Sequence, residues 1–227
     1  MINVSVKSTY YKYNIINKLA PSSHTAHILM FNNIVKDGET ADKNFSQMSH
    51  FIERINCGLE PVSIDELLGR LERGDYKGYI NITFDDGKKN VLENAYPYLK
   101  SHNIPFTVYI VPGRLGDKGY MTEDDVRLLS QDELCTVGAH TMTHPHLSEC
   151  ENAEYEIEQS AKEIERITGK TVKHFAYPYG GVSAVSKKNI ETVKRCGYLS
   201  AVSTVGTRLK FLSAKNWLFL PRINGDI

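Results

Sequence analysis

From residue 27 onward the chain alternates short apolar runs with amphipathic stretches of helical period. The runs HILMF (27–31), YINITF (79–84), FTVYIV (106–111), LCTVGA (134–139), HFAY (174–177), LSAVS (199–203) and WLFLP (217–221) read as seven β-strands. Between them, FSQMSHFIERI, SIDELLGRLERG, KNVLENAYPYLKSH, TEDDVRLLS, NAEYEIEQSAKEIERITG and SKKNIETVKRCG read as helices, several opened by Ser or Thr and closed by Gly. Strands separated by helices predict parallel pairing with helical crossovers, hence an α/β fold. No repeat, low-complexity tract or linker divides the pattern, which predicts a single domain over 27–227 behind an N-terminal extension, 1–26. Periodicity leaves two architectures open, an open doubly wound sheet and a closed barrel.

Composition narrows the function classes. The 227 residues carry 27 basic and 27 acidic side chains, and 41% of positions are apolar. A balanced chain without a basic stripe has no long-range field to gather nucleic acid or an anionic membrane, so no nucleic-acid partner is expected. No run of about 18 apolar residues predicts a transmembrane segment, and the first residues lack the apolar core of a secretory signal, which predicts a cytoplasmic location. Cys57, Cys135, Cys150 and Cys196 form no CxxC pair and read as free thiols.

The chemistry collects at the ends of the strands. Asp85 and Asp86 follow the second strand, HTMTH (140–144) follows the fourth, PYGG (178–181) the fifth and RING (222–225) the seventh. In parallel α/β folds the carboxyl ends of the strands form the functional face, so these clusters are expected to converge. His140 and His144 can face one point if the segment between them curls into a helical turn. Two imidazoles and one carboxylate suit a divalent transition metal and leave coordination positions open for water and substrate. Two adjacent carboxylates repel unless a cation neutralises one, and the other is then free to act as a base. An isolated DDG would by itself be an ordinary acidic turn with one Asp capping the next helix.

These residues resemble the polysaccharide deacetylases, the NodB-homology enzymes of carbohydrate esterase family four. TFDDG (83–87), HTMTH (140–144) and YPYG (177–180) are similar to that family's three ordered motifs, over a stretch from about residue 27 to the end. The resemblance implies a distorted (β/α)7 TIM-like barrel. It implies Asp85 as catalytic base, Asp86, His140 and His144 as metal ligands, and the Tyr179 N–H as oxyanion contact, with Asn32, Tyr177, Pro178 and Gly180 against the substrate. The implied reaction is metal-assisted hydrolysis of an N-acyl group, acetyl or formyl, on an aminosugar. The substrate would be a surface glycan or its nucleotide-linked or lipid-linked cytoplasmic precursor, and the cofactor zinc, with iron, cobalt or nickel also fitting the ligand set. Tyr177 and Tyr179 are candidates to stack on a sugar ring.

Two departures stand out. The Arg that tethers the base two residues before the third motif's Pro is replaced by Ala176, and Arg222 in LPRING is the candidate to supply that guanidinium from another strand end. The family's general acid His in a late LxH motif has no counterpart, and LMFNN places Asn32 where related members carry a His. An amide cannot donate a proton and remain a stable anion near neutral pH. The acid is then Asp85 itself returning its proton, one of His24, His27 or His146, or a water held by Asn32. The alternative is a glycan-binding relative that keeps the metal site without full activity.

Overall fold

The computed structural model describes residues 25–35, 46–47, 58–206, 209 and 214–225. Residues 1–24 of the N-terminal extension and Cys57 lie outside them. Five strands stand where the apolar runs predict, with ends trimmed by a residue or so: β1 (His27–Phe31), β5 (Tyr79–Phe84), β6 (Phe106–Ile110), β7 (Cys135–Ala139) and β8 (His174–Ala176). A sixth, β9 (Ser200–Val202), is shorter than its run. Two-residue strands β2 (Ile34–Val35), β3 (Ser46–Gln47) and β4 (Glu60–Pro61) fill the connection from β1 to β5, and β10 (Ile223–Asn224) comes last.

The named strands among the described residues all pair in parallel, in the order β10-β1-β5-β6-β7-β8-β9, with β4 beside the start of β5. Every residue of β1, β5 and β6 is buried, as parallel strands covered on both faces require. The sheet curls into a distorted barrel with helices outside. Phe31, Phe84 and Phe106 pack ring to ring at centroid distances of 5.8 and 6.1 Å across three neighbouring strands. Such aromatic pairs each add about 0.5–1.5 kcal/mol beyond their buried area.

Five helices follow their sequence signals: α1 (Ile64–Glu72), α2 (Tyr96–Ser101), α3 (Glu123–Gln131), α4 (Ala153–Thr168) and α5 (Lys187–Arg195). Thr122 and Ser186 close capping boxes at the starts of α3 and α5, and Gly169 ends α4 with φ 69°. Each such N-cap is worth about 1 kcal/mol. α2 is entered through one π-helical turn, Val91–Ala95. No helix among the described residues is long and apolar enough to cross a membrane. Cys135, Cys150 and Cys196 are free thiols.

Two predicted elements differ. The WLFLP run is not a strand: Ala214–Phe219 forms a 3-10 helix, and only Leu220 bridges to Val202. Its apolar residues pack on the barrel from a helical turn, a case where a short run cannot be told from a strand by periodicity alone. The closing strand is instead β10, which carries RING. Likewise Ser46 and Gln47, at the head of the predicted helix FSQMSHFIERI, pair with Ile34 and Val35 as a strand, and the rest of that stretch lies outside the described residues. Closure is made by residues 220–225. Leu220 exchanges backbone bonds with Ala201 and Ser203, the Arg222 N–H reaches Val205 O, and the Gly225 N–H reaches Met30 O.

Candidate active site

The polar residues that follow β1, β5, β7 and β8, together with those beside β10, meet at one end of the barrel. Asp85 extends the β5 ladder by one bond, donating its N–H to Phe31 O at 2.9 Å, and is 4% exposed. The chain then turns sharply, with Asp86 and Gly87 both at φ 69°. That left-handed turn throws the two adjacent carboxylates in different directions.

Asp85 points inward onto Arg222. The guanidinium donates to both carboxylate oxygens at 2.7 and 2.6 Å, to Thr83 Oγ1 at 3.0 Å and to Ser203 O at 2.9 Å. Arg222 is itself 1% exposed, so this is a buried, bidentate pair. Burial is the largest influence on Asp85 and pushes its pKa up. The Arg222 charge and its hydrogen bonds, helped by His140 and His144, outweigh burial and hold the carboxyl below its ordinary value.

Asp86 points to the histidines. Its Oδ1 lies 3.6 Å from His140 Nε2 and 3.5 Å from His144 Nε2, and one donor atom from each of the three residues falls within 4.8 Å of the others. Ligand bonds of about 2.0–2.2 Å at near-tetrahedral angles separate donor atoms by roughly 3.4 Å, so the two distances from Asp86 to the histidines suit one small divalent ion. His140 is oriented through Nδ1 on Ala176 O at 2.8 Å, which leaves Nε2 facing Asp86 and able to coordinate an ion. Burial first, and the neighbouring His140 second, pull the His144 pKa down to about 4, so its ring stays neutral and ligand-ready at physiological pH. Lys88 Nζ sits 3.7 Å from the other oxygen, Asp86 Oδ2, and 2.5 Å from Tyr120 Oη.

The two histidines do not share a helical turn. Thr141 and His144 are both left-handed, at φ 63° and 65°, and this bent loop brings the imidazole centroids to 4.8 Å. Of the five non-glycine residues with positive φ among those described, Asp86, Thr141, His144 and Tyr179 belong to this site. Such conformations cost about 1–3 kcal/mol each and persist where the surroundings over-determine them, as they do at functional sites.

Tyr179, at φ 60°, exposes half of its surface beside the triad. Its carbonyl accepts from Thr204 Oγ1 and the Gly181 N–H, while its own N–H meets no acceptor among the described residues. Its ring stacks on His146 at 3.7 Å with a 2° interplanar angle and meets His144 edge-on at 4.9 Å. Gly180 has no room for a side chain: a Cβ there would lie 2.5 Å from Thr204 N.

Other expected residues sit elsewhere. Tyr177 is fully buried, packed against Phe175 and Phe219, with its hydroxyl donating to Leu218 O at 2.8 Å. Its ring cannot stack on a sugar, because the motif's alternation turns it into the core while Tyr179 turns out. Pro178 is buried, and Asn32 follows β1 at the mouth, one residue past the carbonyl that receives the Asp85 N–H. His27 begins β1, at the far end of that strand, and bonds to Thr25, which removes it from the candidate acids; His24 lies outside the described residues. Thr83, Ser203 and Lys88 were not singled out from sequence, although Asn81 and Thr83, polar at alternate positions of an apolar strand, mark a polar interior face below the site.

A tethered carboxylate beside an Asp-His-His cluster at the strand ends of a barrel is an arrangement able to support metal-assisted hydrolysis. The family model for polysaccharide deacetylase matches residues 73–201, and the chain belongs to that family. It is 26% identical over 152 residues to a poly-beta-1,6-N-acetyl-D-glucosamine N-deacetylase of Staphylococcus aureus, covering 60% of this chain and 51% of that one. The chain spans about half the length of the curated relatives it matches. Among solved structures, IcaB from Ammonifex degensii superposes with a TM-score of 0.76 at 18% identity, over 88% of this chain and 91% of that one. Streptococcus pyogenes deacetylase PplD, solved with acetate, gives 0.75 at 22%, over 89% and 93%. At these identities the likeness concerns the fold.

Proposed function

We propose that this protein is a metal-dependent N-deacylase that removes an acetyl or formyl group from an aminosugar of a glycan. The observation that carries the reading is the division of labour between adjacent aspartates: Asp86 faces His140 and His144, while Asp85 is held apart by Arg222. The relatives named for poly-β-1,6-N-acetylglucosamine make a β-1,6-linked N-acetylglucosamine oligomer the first substrate to try.

Asp86, His140 and His144 would hold the ion, zinc being the default for this donor set. When bound, the ion supplies Lewis acidity, polarising the acyl carbonyl and lowering the pKa of water. Asp85 takes the proton from the water that attacks the acyl carbon. Arg222 fixes that carboxylate in one rotamer and keeps it ionised at neutral pH. The Tyr179 N–H donates to the oxyanion that develops on the acyl oxygen, and removing one such donor costs about 100- to 1000-fold in rate. As the carbon–nitrogen bond breaks, the proton on Asp85 passes to the leaving nitrogen, giving an amine and a carboxylate. The exposed Tyr179–His146 stack offers a flat apolar surface for a pyranose ring at the mouth.

Asn32 favours a second reading, a glycan-binding relative, since it stands where an acid is expected. Metal analysis of the purified protein, followed by assay on N-acetylated and N-formylated aminosugar oligomers, separates the two. Hydrolysis that is lost on chelation and in Asp85→Asn, with metal still bound in that variant, supports the enzyme. Bound metal without hydrolysis in the wild type supports the binding protein.

A further inference from the structure

Resting on that reading, the structure assigns a further positioning residue for the metal site: Glu156, in the first turn of α4. The residue is 8% exposed. None of the ion pairs among the described residues involves it. Both oxygens are instead spent on one residue of the loop between the histidines, accepting from Thr143 N–H at 2.8 Å and from Thr143 Oγ1 at 2.8 Å. The Glu156 backbone carbonyl also accepts from Met142 N–H at 3.1 Å.

The loop needs such a clamp. Thr141 and His144 occupy left-handed backbone on either side of the clamped pair, a conformation a β-branched residue rarely adopts. A short loop holding two such residues relaxes unless its polar groups are fixed. Here they are: His140 N–H goes to Ile110 O, Met142 O receives Gly113 N–H at 2.9 Å, and His144 N–H goes to Thr141 Oγ1 at 3.0 Å. Glu156 alone supplies the acceptors for residues 142 and 143. Gly113 reinforces the fit, since a Cβ there would meet Met142 O at 2.6 Å.

The position of Glu156 also accounts for a buried acid without a basic partner. It lies in the first helical turn, where the unpaired N–H groups and the helix dipole favour negative charge. Four residues before Ser160 and eight before Ile164, it falls on the buried stripe of α4 rather than on the solvated face. Glu156 therefore sets where His144 points, and so whether the Asp86–His140–His144 atoms close on a single ion.

The test is zinc affinity by chelator competition on the wild type, Glu156→Ala and Glu156→Gln, with urea unfolding of the metal-free proteins alongside. Alanine should weaken zinc binding about 10- to 100-fold. Glutamine should stay within about 3-fold of wild type, because its amide can accept from the Thr143 N–H and donate to Thr143 Oγ1. A purely structural role would lower the apo stability of Glu156→Ala and leave its zinc affinity at the wild-type value, and that result overturns the inference. So would glutamine weakening binding as much as alanine. If Glu156→Ala does not fold, Thr143→Val, which keeps the N–H and loses the hydroxyl, should weaken zinc several-fold, and an unchanged affinity again overturns the assignment. A wild-type protein that binds no zinc or other divalent ion would instead sink the proposed function.

Discussion

Replacing Arg222 by Met should be among the most damaging single changes in the barrel. The substitution keeps the unbranched stem and removes four hydrogen bonds, two of them charge-assisted contacts to Asp85 at 2.6 and 2.7 Å. It strands a carboxylate that is 4% exposed. Breaking a buried pair from one side costs about 3–5 kcal/mol, a large part of the 5–15 kcal/mol that holds a typical domain together. Urea unfolding followed by circular dichroism at pH 7 measures it. The double variant Arg222→Met with Asp85→Asn removes both charges and should cost less than Arg222→Met alone. The effect should also depend on pH in a fixed direction. In the wild type Asp85 is held below its ordinary value, so its contribution is present above the unfolded value of about 3.9 and is lost as pH falls through the folded one. Without Arg222 the dominant burial pushes the carboxyl up, and the variant gains stability as it takes a proton on acidification. The gap between the two proteins should therefore be widest near neutrality and close towards pH 4. A penalty under 1 kcal/mol at pH 7, a gap that widens on acidification, or a double variant as unstable as the sum of the singles would each refute the argument.

Two more outcomes follow. Gly180→Ala combines a residue at φ 50° with a Cβ placed 2.5 Å from Thr204 N, so it should cost more than the roughly 1–2 kcal/mol of the left-handed backbone alone. It should also lower hydrolysis at least tenfold by displacing the Tyr179 amide, as thermal melts and steady-state rates would reveal. In the metal-free protein the His144 ring resists protonation down to about pH 4, whereas the unfolded chain takes that proton near 6.5. Stability should therefore fall as pH drops from about 6.5 towards 4, and His144→Asn should flatten that slope in melts run with chelator; an unchanged slope would assign the pH dependence to other groups.

Much of this arrangement is legible in the sequence because it rests on local rules. Alternating apolar runs and capped amphipathic stretches locate the strands and helices, and the parallel fold alone predicts that DDG, HTMTH, PYGG and RING converge. What the sequence conceals is direction. Asp85 and Asp86 are chemically identical neighbours, and only the φ 69° turn between them separates inward from outward. Tyr177 and Tyr179 likewise look equivalent, yet one is buried and the other half exposed. The WLFLP run misleads because aromatic and aliphatic residues suit a packed 3-10 turn as well as a strand. Glu156 passes for one of several surface acids of its helix until its place on the buried stripe is counted.

The segment that seals the barrel also delivers the arginine. Arg222 stands between Leu220, which is knit to β9, and Gly225, which is knit to β1, so the guanidinium reaches Asp85 only when the first and last strands have found each other. Opening that seam would remove the guanidinium from Asp85 and admit water to a carboxylate that is 4% exposed in the closed barrel. Completion of the barrel and tethering of Asp85 are therefore one event.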